Sequence, residues 1–167
     1  MSSNKTLKVL MVCLGNICRS PTAHGVLSKL VIDKNLGASV VVDSAGTGDW
    51  HLGESPDARS KLAALTRGYD ISKLTARQVA NEDFSEFNYL LAMDEQNLSD
   101  LNKLCPEEYK HKLKLLLSFG SSEEISVPDP YYGGSSGFEN VLDLIEDACK
   151  GYLNYIISKH TLDSKLP

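Results

Sequence analysis

The stretch Leu7-Lys-Val-Leu-Met-Val-Cys-Leu-Gly-Asn-Ile-Cys-Arg-Ser-Pro21 decides the fold of this chain. Residues 7–12 form a nearly continuous apolar run, which is typical of a parallel strand covered on both faces. Ser20 and Pro21 then predict the start of a helix, with serine as its cap and proline at its first position. We predict that this helix ends at Gly37. A strand, a glycine-containing turn and a helix thus follow one another along the chain.

The same alternation continues to the C-terminus. Further strands are predicted at residues 40–45, 89–93 and 113–119, and helices from Ser55-Pro-Asp57 to about Arg67, at 81–87, at 94–104 and from Gly137 onward. The segment 46–55 is predicted to be a loop, and residues 71–80 show no clear period. Strands that alternate with helices predict one α/β domain over residues 1–167, with a parallel sheet of four strands and tails at about 1–6 and 160–167.

The charge and composition exclude several classes of protein. With 22 acidic and 17 basic side chains, the net charge is -5, so we expect neither nucleic acid nor an anionic membrane as a partner. No apolar stretch approaches the ~20 residues of a membrane span, and residues 1–6 are too polar for a signal peptide. The four cysteines are not needed as disulfides in a chain of this size. We therefore expect a cytoplasmic protein.

Cys13 stands where the first strand ends and the first helix begins, which is where open parallel sheets bind ligands. Backbone N–H groups of a turn and a helix N-terminus together bind phosphate. Gly15 allows a close approach of the backbone, and Asn16 tolerates the left-handed conformation that turns N–H groups inward. The turn therefore predicts an anion site.

The same turn carries the groups of a reactive cysteine. A helix N-terminus and a nearby arginine favour a thiolate, so we expect Cys13 to be ionised at neutral pH. Arg19 can offer a planar fork to two phosphate oxygens, and the Ser20 hydroxyl can donate toward the sulfur. A lone cysteine is usually a small core residue, and this reading suits Cys105 and Cys149. It leaves the other groups around Cys13 unexplained.

These residues resemble the motifs of a known protein family. Residues 12–21 resemble the signature of the low-molecular-weight protein tyrosine phosphatases, and further motifs follow in the family's order: Asp43-Ser-Ala-Gly-Thr47, Ala76-Arg-Gln78, Met93-Asp-Glu95, Asn97-Leu98 and Asp129-Pro-Tyr-Tyr-Gly133. The resemblance implies a twisted four-stranded parallel sheet with helices on both faces, of flavodoxin-like or Rossmann-like type. It also implies a cytosolic enzyme that hydrolyses phosphotyrosine and aryl phosphates through a cysteinyl-phosphate intermediate, with no cofactor and no metal.

The resemblance assigns roles to individual residues. Cys13 is the nucleophile, Arg19 clamps the phosphate, and the phosphate-binding loop comprises Leu14, Gly15, Asn16, Ile17, Cys18 and Ser20. Asp129 is the general acid, which a phenolate leaving group needs. Taken alone, an aspartate between Pro128 and Pro130 is equally well explained as ordinary turn chemistry. Ser44 is expected to hydrogen-bond to Asn16.

Aromatic side chains are expected to contact the substrate. Trp50, Tyr131 and Tyr132, together with Leu14, would form apolar walls around a phenyl ring, although surface or core packing also explains such residues. Cys18 either packs under the loop or pairs reversibly with Cys13, and the resemblance favours the second reading.

The histidines of this chain do not follow the pattern of the family. Leu74 and Thr75 stand where animal relatives often carry a histidine that ties the site to acidic residues, so such tuning is not expected here. The four histidines show no metal-ligand spacing and are predicted to be surface or capping residues.

Three rival interpretations fit the same turn. An arsenate reductase would need more cysteines, and residues 77–104 contain none. A phosphocarrier of the sugar-transport IIB type would leave Arg19 and Asp129 unexplained. A phosphate-binding adaptor would need neither nucleophile nor acid. Expected partners are phosphotyrosine-containing proteins and phosphate or other oxyanions, with weak self-association left open.

Overall fold

A computed structural model describes residues 6–131 and 135–162. The strands are β1 (Leu7–Cys13), β2 (Val40–Gly46), β3 (Tyr89–Ala92) and β4 (Leu113–Leu115). The helices are α1 (Arg19–Asp33), α2 (Ala58–Thr66), α3 (Asn81–Glu86), α4 (Glu95–Leu104) and α5 (Ser135–His160), and short 3₁₀ helices span Glu107–Lys112 and Leu116–Phe119. The predicted helices that run from residues 55–57 to about 67, over 81–87 and over 94–104 are therefore present, although the first of them begins only at Ala58, with Asp57 as its cap.

The strands form one parallel sheet with the order β2-β1-β3-β4, which confirms the predicted fold class. Val12 near the end of β1 pairs with Ala45 of β2 on one side and with Ala92 of β3 on the other. Because these strands end together, the residues that follow them share one edge of the sheet. That edge is where a ligand is expected.

Helices cover both faces of the sheet. Val9 and Met11 of β1 are buried in the cluster formed with α1 and α5, whereas Leu10 and Val12 are buried in the cluster formed with α3 and α4. Successive side chains of a strand point to opposite faces, so this double burial requires a continuous apolar run. The prediction from residues 7–12 is confirmed.

Both predicted ends of α1 are wrong. The helix begins at Arg19 after Cys18, and the Ser20 side chain is no cap because its hydroxyl faces the sulfur of Cys13 at 3.1 Å. At the other end the chain leaves the helix at Asn35, whose φ of 58° is left-handed, before Gly37 is reached. Asparagine tolerates this conformation and can end a helix as glycine does.

The predicted strand at 113–119 is also wrong in its second half. β4 ends at Leu115, and Leu116–Phe119 forms a 3₁₀ helix that packs against α5. Leu116 and Leu117 are consecutive, yet both are buried in the cluster formed with α1 and α5, whereas successive side chains of a strand point to opposite faces of the sheet. A short apolar run does not distinguish the two structures by its period.

α5 begins at Ser135, slightly before the predicted start at Gly137, and packs along α1. His160, where we predicted the C-terminal tail to begin, is the last residue of this helix, and its Nε2 atom lies 2.9 Å from the Tyr89 hydroxyl. The rest of both predicted tails, apart from Thr6 and residues 161–162, lies outside the described residues. Within the described ranges, none of the helices has the length and apolarity needed to span a membrane.

Candidate active site

The turn between β1 and α1 wraps around the sulfur of Cys13. The Ser20 hydroxyl lies 3.1 Å from Cys13 Sγ, and the backbone N–H of Asn16 donates to the same sulfur at 3.2 Å. One assigned donor, the Asn16 N–H, and one hydroxyl that could donate thus converge on one buried side chain. Donors in this arrangement stabilise a negatively charged sulfur.

Asn16 holds the turn in shape. Its φ is 58°, as the sequence predicted, and its side-chain amide donates to Ser20 Oγ at 2.8 Å. Its Oδ1 atom accepts from the backbone N–H of Arg77 at 3.0 Å. The predicted hydrogen bond between Ser44 and Asn16 is wrong: the Ser44 hydroxyl instead shares a hydrogen bond with Nδ1 of His24 at 3.0 Å, because His24 of α1 lies beside β2.

The neighbouring loop after β2 supports the turn from the side. The backbone N–H groups of Thr47 and Gly48 donate to the carbonyls of Cys13 and Leu14, each at 2.9 Å. Gly46 allows this contact, because a Cβ atom there would lie 2.7 Å from the carbonyl oxygen of Leu14. The loop after β2 is therefore held against the turn by two backbone hydrogen bonds.

Arg19 is buried and its guanidinium is held from behind. Its Nη1 atom donates to Asp94 Oδ2 at 2.6 Å and to the Val127 carbonyl at 2.9 Å. Its Nη2 atom lies 3.9 Å from Asp129 Oδ2. We predicted no role for Asp94 from the sequence. Asp94 nevertheless follows β3 at the edge of the sheet where β1 ends with Cys13, and this shared edge is the signal that could have identified it.

Asp129 lies at the rim of the site. The segment that carries it is tied to the sheet because the Val127 N–H donates to the Met93 carbonyl at 2.8 Å. The backbone N–H of Tyr131 donates to Asp129 Oδ1 at 3.0 Å. The carboxyl group is partly exposed, so water reaches it.

These residues surround one open cavity of about 450 Å³. Its walls bring together Cys13, Leu14, Gly15, Ile17, Cys18, Arg19, Trp50, His51, Asp129 and Tyr131. Asn16 and Ser20, which were also predicted as site residues, support the turn without lining the cavity. Tyr132 lies outside the described residues. A phosphate group on an aromatic ring fits the size and the composition of this cavity.

Two aromatic side chains, Trp50 and His51, lie at the rim of the cavity. The predicted wall residue Trp50 is 67% exposed, and its ring covers Gly48, which leaves no room there for a side chain. His51 was not predicted. It lies against Gly15, its Nδ1 atom is 3.2 Å from Glu54 Oε1, and its ring is 6.5 Å from that of Tyr131.

Cys18 lines the cavity and is a buried free thiol. Burial raises the pKa of Cys18 to about 12, against the opposing effect of a hydrogen bond with the side chain of Ser60. Cys18 is therefore a neutral thiol at physiological pH.

The prediction that all histidines are surface or capping residues is wrong for His24. This ring is half-buried against Ser44, and burial lowers the pKa of His24 although Asp43 acts in the opposite direction. Arg77 connects the same region to the turn, because its guanidinium binds Asp43 at 3.1 Å and Asp83 at 2.9 Å while its backbone N–H donates to Asn16 Oδ1. Among the described residues, no group of three or more metal-binding side chains could hold a metal ion.

A cysteine in a turn of this kind, a buried arginine and a nearby carboxyl group together define a cysteine-dependent phosphatase. Comparison with known proteins gives the family. The family described as low molecular weight phosphotyrosine protein phosphatase matches residues 8–164, and the chain belongs to it. It is a protein tyrosine phosphatase, as the resemblance implied.

Individual relatives agree with this assignment. The human low molecular weight phosphotyrosine protein phosphatase is 42% identical over 155 residues, which cover 92% of this chain and 98% of the relative. A crystal structure of a protein tyrosine phosphatase from Entamoeba histolytica, with Hepes in its active site, has a TM-score of 0.89 at 40% identity and covers 94% of this chain and 100% of its own. The structure of DARP, a drosophila arginine phosphatase, has a TM-score of 0.83 at 34% identity and covers 89% of this chain and 97% of its own.

Proposed function

We propose that Cys13, Arg19 and Asp129 carry out the hydrolysis of phosphotyrosine in two steps. The observation that supports this assignment is that all three side chains line one cavity, with Arg19 Nη2 only 3.9 Å from Asp129 Oδ2. The phosphate would lie over the turn, where backbone N–H groups and the buried arginine balance its charge.

In the first step the Cys13 thiolate attacks phosphorus. The S–P bond forms while the P–O bond to the phenol breaks, and the bonding electrons pass to the phenol oxygen. Asp129 gives its proton to that oxygen, so that a neutral phenol leaves. Arg19 stabilises the equatorial oxygens of the transition state with its remaining guanidinium hydrogens.

In the second step water attacks the cysteinyl phosphate. Asp129, now a carboxylate, takes a proton from this water, and the S–P bond breaks to release phosphate. The electrons return to Cys13 as a thiolate, which receives hydrogen bonds from Ser20 and from the Asn16 N–H. These donors make the sulfur a better leaving group.

The rim supports an aromatic substrate. Leu14, Trp50 and Tyr131 are all partly exposed and offer apolar faces beside the phosphate site. Aromatic pairs contribute about 0.5–1.5 kcal/mol beyond the area that they bury. We extend this role to Tyr132, as the resemblance implies.

Cys18 is proposed to protect the nucleophile against oxidation. A peroxide would oxidise the Cys13 thiolate to a sulfenic acid. The sulfur of Cys18 would then attack the sulfur of Cys13, and the displaced hydroxide would leave as water with the proton of the Cys18 thiol. A disulfide would remain. A small thiol would reduce this disulfide and restore both cysteines. Four free cysteines suit a reducing compartment, so we propose that the protein works in the cytoplasm.

The substrate class is tested with a phosphotyrosine peptide and free phosphoarginine in parallel, each with and without a metal chelator. We expect kcat/KM for phosphotyrosine to exceed that for phosphoarginine at least about tenfold, since a phenyl ring buries more apolar surface against the rim than the arginine side chain does. Equal or reversed preference would contradict the proposed substrate, and loss of activity with the chelator would contradict the metal-independent mechanism. Sedimentation at increasing concentration tests whether the chain associates weakly with itself, which the sequence leaves open.

A further inference from the structure

The N-terminal end of α2 contacts the phosphate-binding turn. The backbone N–H of Asp57 donates to the carbonyl oxygen of Ile17 at 2.8 Å. The Asp57 carboxylate caps α2 by accepting from the N–H groups of Arg59 at 2.8 Å and Ser60 at 3.3 Å. Asp57 is thus fixed relative to the turn that holds the nucleophile.

Arg59 connects this helix end to the segment that carries the acid. Its guanidinium binds back on Asp57, with Nη2 at 3.0 Å from Oδ2 and Nε at 3.2 Å from Oδ1. The same Nη2 donates to the carbonyl oxygen of Tyr131 at 2.9 Å. The guanidinium also lies over the ring of Tyr131 at 5.6 Å and over the ring of Phe138 at 4.8 Å.

The contact continues from Tyr131 to the acid itself. The Tyr131 N–H donates to Asp129 Oδ1, so the residue whose carbonyl Arg59 holds also orients the carboxyl group. Asp129 and Tyr131 are both exposed, and burial therefore does little to fix them. A general acid must nevertheless stay within hydrogen-bond reach of the leaving oxygen.

We propose that Arg59 is a positioning residue for the general acid. Together with Asp57 it forms a bracket that sets the position of the Asp129 segment relative to the Cys13 turn. This inference rests on the proposed role of Asp129. Asp57 preorganises the bracket, because its carboxylate accepts from Nε and Nη2 of Arg59 while its backbone N–H donates to Ile17. Burial acts to raise the pKa of this carboxyl group, and the hydrogen bonds from Arg59 and Ser60 outweigh that effect and lower the pKa.

If Arg59 had only a structural role, its removal would have a different effect on the substrates. A cap or surface residue would, when removed, lower the stability of the fold and affect all substrates alike. A residue that positions the acid matters most when the leaving group needs a proton. Phenolate needs one, whereas p-nitrophenolate leaves readily without it.

The test compares phenyl phosphate with p-nitrophenyl phosphate. We expect Arg59→Ala to lower kcat/KM for phenyl phosphate about tenfold and for p-nitrophenyl phosphate about twofold, since misplacing an acid forfeits part of its 10²–10⁴-fold contribution. Arg59→Lys, which keeps the charge and a donor but not the fork, should fall between these values and the wild type.

The decisive experiment measures the effect of Arg59→Ala in a protein that already carries Asp129→Ala. If Arg59 acts through Asp129, adding Arg59→Ala to Asp129→Ala should change kcat/KM for phenyl phosphate less than about twofold. The matched control is Arg67→Ala, which breaks ion pairs with Glu139 and Glu146 on α5 and should leave the ratio of the two substrates unchanged. Thermal unfolding of every variant monitors folding.

Two results overturn the proposal in different ways. If Arg59→Ala lowers both substrates equally, or acts as strongly without Asp129 as with it, the residue has only a structural role. If Asp129→Ala itself leaves kcat/KM for phenyl phosphate unchanged, the acid assignment of the proposed function fails first.

Discussion

Arg19 and Asp94 are joined by a hydrogen bond of 2.6 Å between Nη1 and Oδ2, at the point where the ends of β1 and β3 meet. Arg19 is buried, and this carboxylate together with the Val127 carbonyl fixes the plane of its guanidinium. Because the anchoring uses Nη1, Nη2 remains directed toward Asp129 and the phosphate site. The orientation of the clamp thus depends on a residue with no contact to the nucleophile.

Replacing Asp94 should weaken phosphate binding. Asp94→Asn removes a charge-assisted hydrogen bond worth about 1.5–3 kcal/mol, so we expect a roughly tenfold to hundredfold rise in the inhibition constant of inorganic phosphate. Steady-state inhibition assays measure it. The control is Asp100→Asn on α4, the helix that Asp94 caps, where the Asp100 carboxylate accepts from Nε2 of Gln96 at 2.9 Å. An unchanged inhibition constant in Asp94→Asn would show that Arg19 is held without this carboxylate.

Removing the Ser20 hydroxyl should slow the second step more than the first. In Ser20→Ala the sulfur of Cys13 loses a hydrogen-bonding group at 3.1 Å, which makes it a poorer leaving group from the cysteinyl phosphate. We expect kcat to fall about tenfold or more, and pre-steady-state assays to show a burst of phenol as the intermediate accumulates. Ser28→Ala, further along α1, is the control. A fall in kcat/KM without any burst would speak against this role.

A methyl group at Gly46 should disrupt the turn. In Gly46→Ala the new Cβ atom would lie 2.7 Å from the Leu14 carbonyl and 3.2 Å from the Asn16 nitrogen, both of them backbone atoms that cannot easily move. We expect a loss of about 1–3 kcal/mol in the free energy of unfolding and a marked loss of phosphate affinity. Gly37→Ala is the matched control, because its Cβ meets nothing within 4 Å. Urea unfolding and phosphate titration compare them, and equal behaviour of the two variants would contradict the close contact.

His24 should make the stability of the fold depend on pH. Its pKa in the unfolded chain is about 6.5, and burial lowers it in the folded state despite Asp43. Between these two values the unfolded chain binds more protons, so the contribution is complete above about pH 6.5 and is lost as pH falls through the lower, folded-state pKa. His24→Gln should therefore lose less free energy of unfolding than the wild type between pH 7.5 and pH 5. Parallel urea titrations test this, and equal losses would contradict it.

Local chemistry made part of the site predictable. The apolar run of β1, the turn after it and Arg19 are close in sequence, so the anion site with its cysteine could be inferred from a single stretch. The positive φ of Asn16 follows from the same stretch. The ends of α1 were less predictable, because Ser20 was read as a cap while its hydroxyl belongs to the sulfur of Cys13.

Contacts between distant segments account for what the sequence did not predict. Asp94 meets Arg19 across 75 positions, and Arg59 meets Tyr131 across 72. Local periodicity carries no information on such pairs. Asp94 could still have been found by asking which polar residues follow the other parallel strands, whereas the His24 contact with Ser44 depends on how a helix packs on its neighbouring strand.

The most direct test of the central claim is to trap the covalent intermediate on Cys13. The Asp129→Ala variant is mixed with an aryl phosphate that carries labelled phosphorus, quenched in acid and digested, and the label is mapped by mass spectrometry. We expect label on Cys13 and none in Cys13→Ser, which should also show no turnover. Label on another residue, or turnover by Cys13→Ser, would contradict it.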